Sequence, residues 1–177
     1  NHFEPYSEYV SWNWNTIGEY FKQLEENGIS MNIAALVGHG TVRTAVMGFD
    51  DRAPTKDELD EMKALVEQSM VDGAFGLSTG LVYPPGCFAS TEEIVELCKV
   101  VAKYGGIYAT HIRGERETFI EAVREAIYIG EKTGVPVQLS HNAPKYGAWG
   151  KLKESLRIVE EARERGLDVT LDNDTQR

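Results

Sequence analysis

Ile107-Tyr108-Ala109-Thr110-His111 and Val135-Pro136-Val137-Gln138-Leu139-Ser140-His141 decide how this chain is read. Each is a short apolar run bounded by glycine or proline, the pattern of a buried strand, and each ends in a histidine. Between them, Glu117 to Lys132 carries Ile120, Val123, Ala126 and Ile127 at helical spacing, and Gly134 stops the helix. A strand, a helix and a second strand in that order form a parallel pair. His111 and His141 are therefore predicted to emerge at the same edge of one sheet, where α/β proteins keep their active sites.

The same unit recurs on both sides. Strands are predicted to start near residues 33, 74, 107, 135 and 167, about 30 to 40 residues apart, with a helix in each gap. Ile33 to Val37 reads as the first strand, closed by a tight turn at Gly38-His39-Gly40; Ala74 to Leu77 is the second and Leu167 to Leu171 the last. Thr16 with Glu19, Thr55 with Glu58 and Ser90 with Glu93 have the spacing that starts helices. A further helix is expected over Leu152 to Arg165, and a short one over Thr41 to Met47. Residues 1 to 15 are an irregular, aromatic lead-in expected to pack its rings on the body. Both a doubly wound sheet and a slice of a (β/α)8 TIM barrel fit this rhythm. The barrel is favoured because no strand leads into a GxGxxG or GxxxxGK loop, and polar residues follow every strand end.

Composition narrows the function classes. Of 177 residues, 42% are hydrophobic and 26% charged, enough for one domain with a sizeable core. A net charge of -10 argues against a phosphate-backbone partner, so no nucleic acid is expected. No apolar run approaches the roughly 20 residues that span a bilayer. The two cysteines, Cys87 and Cys98, form neither a disulfide framework nor a metal knuckle, and a reducing cytoplasmic setting is expected.

The histidine pair suggests a metal. Neutral imidazole is a common zinc donor, and a hydrolytic zinc site takes three protein ligands and leaves a place for water. The alternative is that each histidine caps a strand and bonds a loop. Other residues carry similar double readings. His39 lines the mouth of the site or plugs its turn. Arg113 holds a substrate carboxylate or forms an ion pair at the rim. Asp172 and Asp174 act as base or ligand, or bond the loop. Cys87 has no adjacent base and Cys98 lies on an apolar helix stripe, so neither reads as a nucleophile.

Several stretches then point to a family. Gly73-Ala74-Phe75-Gly76-Leu77-Ser78-Thr79-Gly80, Tyr83-Pro84-Pro85, Tyr108-Ala109-Thr110-His111-Ile112-Arg113-Gly114-Glu115, Val135 to His141, and Ala35 to Arg43 resemble the middle of a D-aminoacylase, or N-acyl-D-amino-acid deacylase, a branch of the amidohydrolase superfamily. The resemblance runs over about residues 12 to 174, in order. It implies a zinc-dependent (β/α)8 barrel that hydrolyses an amide, with His111 and His141 as Zn2+ ligands on the fifth and sixth strands, so the five strands are numbers three to seven. Residues 1–177 are then a single partial catalytic barrel domain. The family's HxH pair, its bridging cysteine and its catalytic aspartate have no counterpart in the chain, which alone is expected to be inactive. For such a reaction Tyr83 is a candidate donor to the developing oxyanion, and Arg113 or Lys145 a candidate holder of the substrate carboxylate. Many members place a lysine two residues after the second histidine, where this chain has Ala143; Lys145 stands two positions further on.

The expected partner is a small-molecule N-acyl amino acid, with self-association through the open sheet edges. Two rivals stay open: a cyclic-amide hydrolase of the dihydroorotase or hydantoinase kind, and a non-catalytic binding or scaffold domain with structural histidines.

Overall fold

A computed structural model describes residues 13–173 of the chain. It contains helix α1 (Ile17–Asn27), strand β1 (Val37–Gly38), α2 (His39–Met47), α3 (Lys56–Val71), β2 (Gly76–Gly80), α4 (Thr91–Lys103), β3 (Ile107–His111), α5 (Phe119–Thr133), β4 (Val137–Ser140), α6 (Leu152–Glu164) and β5 (Val169–Leu171). The strands form one sheet, all neighbours parallel, in the order β1-β2-β3-β4-β5. Strand order follows chain order with no reversal. A doubly wound sheet needs a reversal, whereas a barrel does not, so the topology is that of a barrel segment.

Two helix starts are the capping boxes the sequence predicts. Thr16 Oγ1 accepts from Glu19 N at 3.1 Å while Glu19 Oε2 accepts from Thr16 N at 3.3 Å; Thr55 and Glu58 make the same reciprocal pair at 3.3 and 2.7 Å. These bonds satisfy amides that the first helical turn leaves without partners.

The sheet has two unlike faces. Leu77, Tyr108, Val137, Leu139 and Val169 are buried against the helices, where they meet Ile94, Leu97, Val101, Phe119 and Val123. Side chains alternate along a strand, so Ser78, Gly80, Ile107, His111, Gln138 and Thr170 take the other face, which is only partly covered. That face would line a closed barrel. At its foot β2 and β3 approach closely: a Cβ on Gly76 would lie 2.0 Å from the Ile107 carbonyl oxygen.

Some boundaries differ from the sequence reading. The first strand was expected over residues 33–37, but only Val37 and Gly38 join the ladder, and Ile33 is exposed. Among the described residues this is the sheet edge, with β2 alone to pair against, although the Ala35 carbonyl still accepts from Phe75 N at 2.8 Å. The expected turn at Gly38-His39-Gly40 is instead the first turn of α2. The second strand continues through Ser78-Thr79-Gly80, which pair with Ala109, Thr110 and His111. The Thr79 hydroxyl adds bonds to Tyr108 and Thr110 on the helix side, at 3.1 and 2.8 Å. Trp14 packs on Tyr20 with ring centroids 5.5 Å apart; the rest of the aromatic lead-in, residues 1 to 12, lies outside the described residues, as does Asp174.

Candidate active site at the strand ends

His111 closes β3 on the partly covered face, and its side chain is mostly buried. His141 follows β4. The ladder pairs His111 with Ser140 rather than with His141, so a regular continuation of β4 would send residue 141 towards the helices. The backbone prevents this. His141 has φ 56°, the one positive value outside glycine among the described residues, and its ring turns to meet His111 edge-on, with centroids 5.4 Å apart.

Asp172, just past β5, fixes that conformation. Its Oδ1 accepts from His141 N at 2.8 Å and lies 3.8 Å from His141 Nδ1, while Oδ2 accepts from Gln138 Nε2 at 2.8 Å. Gln138 is bonded in turn by the Thr170 hydroxyl. Of the roles open to Asp172, the one seen is loop hydrogen bonding, and it aims a histidine.

Around His111 the polar groups converge. Glu115 Oε1 lies 3.6 Å from His111 Nε2, too far for a hydrogen bond, and Lys145 Nζ is 2.8 Å from the same carboxylate oxygen. The Lys145 amide also donates to the Glu115 carbonyl at 2.8 Å, so the two loops are tied. The largely exposed Tyr83 ring stands 5.4 Å from the His111 ring. Burial lowers the pKa of His111; the Glu115 carboxylate opposes this, and His141 and Lys145 reinforce it. A neutral imidazole, a donor suited to metal, is thereby favoured.

His111 Nε2 is buried and has no hydrogen-bond partner. A buried nitrogen left in that state is costly unless something else satisfies it, and a cation facing both imidazoles would do so. The donors fit zinc in kind. Among the described residues no group of three His, Cys, Asp or Glu side chains that could hold a metal converges, so a cation placed at this pair would have only part of its coordination shell from them.

Arg113 engages the rim ion pair. Its Nε and Nη2 both lie 2.9 Å from the Glu125 carboxylate on α5, and Nη1 donates to the Cys87 carbonyl at 3.2 Å. His39, at the start of α2, is fully buried and its Nε2 lies 2.8 Å from Glu93 Oε1; Arg43 donates to Glu93 Oε2 at 2.7 Å. Sequence reasoning missed this cluster because Ser90 and Glu93 have capping-box spacing. Ser90 Oγ does accept from Glu93 N at 3.2 Å, but the Glu93 carboxylate turns inward to His39 and Arg43. Both cysteines are free; burial pushes the Cys98 thiol far up, which suits a core residue.

Comparison with known proteins decides the lineage. The chain is 40% identical over 166 residues to a D-aminoacylase of Alcaligenes xylosoxydans xylosoxydans, covering 92% of this chain and 34% of that protein. The chain is a homologue of the D-aminoacylases. An N-acyl-D-glutamate deacylase from the same organism is 38% identical over 154 residues, covering 86% of this chain and 32% of the relative. The chain thus spans about a third of the length of the curated relatives it matches. Among solved structures, N-acyl-D-glutamate deacylase from Bordetella bronchiseptica, complexed with zinc and a phosphonate mimic of the tetrahedral intermediate, superposes with TM-score 0.84 at 35% identity, over 89% of this chain and 34% of that one. A D-hydantoinase structure shares the fold at TM-score 0.57 and 13% identity, covering 92% and 37% of the two chains. No protein-family model matches the chain. The five parallel strands match part of the barrel of these amidohydrolase structures. No helix among the described residues is long and apolar enough to cross a membrane.

Proposed function

We propose that the protein carrying this chain is a zinc-dependent deacylase that hydrolyses the amide of an N-acyl-D-amino acid to a carboxylate and a free amino acid. The observation that carries this reading is the convergence of His111 and His141, with the buried Nε2 of His111 unpartnered, in a chain 40% identical to a D-aminoacylase.

His111 and His141 hold the metal. When bound, zinc supplies Lewis acidity at the amide carbonyl and a water ionised near neutral pH. The chain's own residues do the rest. Tyr83, beside His111, donates its phenolic hydrogen to the oxyanion that develops on the carbonyl oxygen. Lys145, more than half exposed and held on Glu115, presents its ammonium to the substrate carboxylate. Arg113 is the less suitable holder because Glu125 already occupies its fork. Asp172 keeps His141 in the conformation that faces His111. The chain acts as one partial barrel domain, 1–177, in a cytoplasmic protein, a location that the two free thiols favour. The strand edges at β1 and β5 favour self-association when they are not otherwise covered.

The test is a substrate screen on the complete protein that contains this sequence, loaded with zinc. Hydrolysis of N-acyl-D-amino acids, weak action on L-isomers and cyclic amides, and loss of activity in His111→Ala are the expected results. Turnover of hydantoins or dihydropyrimidines instead would overturn the reading.

A further inference from the structure

We propose that His39 and Arg113 are positioning residues that clamp, from its two sides, the loop carrying Tyr83; the catalytic part of this inference rests on the deacylase reading above.

The loop leaves β2 at Gly80 and returns to the body at Ala89. It is tightly folded: Tyr83 N donates to the Gly80 carbonyl at 3.2 Å, Cys87 N to the Tyr83 carbonyl at 2.9 Å, and Ala89 N to the Gly86 carbonyl at 3.1 Å. Tyr83 is nevertheless 60% exposed, so packing of its own ring does not fix it over His111. Its position must come from whatever holds the backbone.

Two carboxylate-centred clusters do so. On one side the His39 ring lies beneath Gly86. A Cβ at Gly86 would be 3.8 Å from His39 Nδ1, an ordinary packing contact, and 2.7 Å from the Gly80 carbonyl oxygen, so it is the loop's own fold that requires glycine here, and the loop so folded rests on the His39 ring. The ring cannot drift, because Glu93 holds it at 2.8 Å and Arg43 neutralises Glu93 at 2.7 Å while also donating to the Arg52 carbonyl at 2.7 Å. On the other side Arg113 donates to the Cys87 carbonyl at 3.2 Å, its guanidinium being fixed by both oxygens of Glu125. Charge-assisted bonds of this kind are among the stronger ones and impose geometry as well as energy. Neither His39 nor Arg113 needs to touch substrate. Each acts through the loop, and thus through Tyr83.

Cys87 is a built-in reporter, since it sits on the loop and is partly exposed, while Cys98 is fully buried in α4. In the 177-residue chain, Arg113→Lys should raise the rate of Cys87 labelling by a thiol reagent about tenfold or more, the effect of losing roughly one charge-assisted bond to the loop. His39→Gln, which removes the ring packed beneath Gly86, should raise it in the same direction. Cys98 should stay protected, which reports an intact core. If His39→Gln exposes Cys98 as well, the rim variant Arg113→Lys decides. Unchanged Cys87 labelling with Cys98 protected overturns the clamp.

In the zinc-loaded complete protein, Arg113→Lys should lower kcat with KM nearly constant. In a Tyr83→Phe background it should lower kcat no further, because a residue that acts only through Tyr83 is silent once the phenol is gone. Equal losses in both backgrounds would mean that Arg113 acts independently of Tyr83 and would overturn the positioning role. Absence of any hydrolysis by the unmutated protein would defeat the deacylase reading instead, and the labelling result would still decide the clamp.

Discussion

The imidazoles of His111 and His141 lie 5.4 Å apart, centroid to centroid, although the strand ladder pairs His111 with Ser140. The offset of one residue is absorbed by the left-handed backbone of His141, which the Asp172 carboxylate holds through the His141 amide. Asp172→Ala should therefore weaken zinc binding to the complete protein by roughly 10–100-fold, as loss of an outer-shell partner does, and His141→Ala by more. Competition with a chromophoric chelator measures both. Equal affinity in the Asp172 variant would show that the loop keeps its shape unaided.

The 177-residue chain alone should bind zinc weakly and hydrolyse N-acyl-D-amino acids little or not at all, because among its described residues only the two proposed ligands, His111 and His141, converge. Added zinc should not rescue it. Turnover that His111→Ala abolishes would contradict this expectation.

Burial depresses the His111 pKa, and this has a signed consequence for stability. The unfolded chain takes up a proton at about pH 6.5, the folded one only at lower pH. Between those values the unfolded state binds more protons, so stability rises with pH there: the contribution is complete above about 6.5 and is lost as pH falls through the folded value. In metal-free protein, NMR titration of the His111 ring should show a midpoint below that of a free histidine, and His111→Asn should flatten this part of the stability profile. A midpoint at or above the free value would contradict the argument.

The buried cluster of Glu93, Arg43 and His39 should be sensitive to one-sided removal. Arg43→Ala leaves Glu93 without its cation in a fully enclosed site and should cost about 3–5 kcal/mol in denaturant unfolding. The double change Arg43→Met with Glu93→Gln removes both charges and should recover part of that loss. A cost below about 1 kcal/mol for Arg43→Ala would mean that water or His39 compensates Glu93.

An open sheet should also reveal itself in solution. Among the described residues one sheet face is partly uncovered and no strand pairs with the outer edges of β1 and β5, so size-exclusion chromatography of the 177-residue chain should show concentration-dependent association. A sharp monomer peak over a wide concentration range would count against it.

Much of this was legible in local sequence. Thr16, Thr55 and Ser90 marked helix starts because capping joins residues three apart, and the β-α-β rhythm set parallel strands because a crossover helix allows no other simple path. Placing His111 and His141 at one sheet edge followed from that rhythm alone. The resemblance around both histidines agrees with the relatives found.

The sequence by itself therefore determined the element order and the edge where the histidines lie, since these depend on short-range periodicity and chain connectivity. It favoured a barrel, and the unreversed strand order of the sheet then separated the barrel from a doubly wound sheet. Only the tertiary structure decided where side chains with two plausible partners go. The Glu93 carboxylate sits 54 residues from His39 in sequence yet 2.8 Å away in space, and Asp172 reaches 31 residues back to the His141 amide. Such pairings are set by which elements pack together, and burial makes an unpaired charge too costly to leave. Local pattern carries no record of that competition.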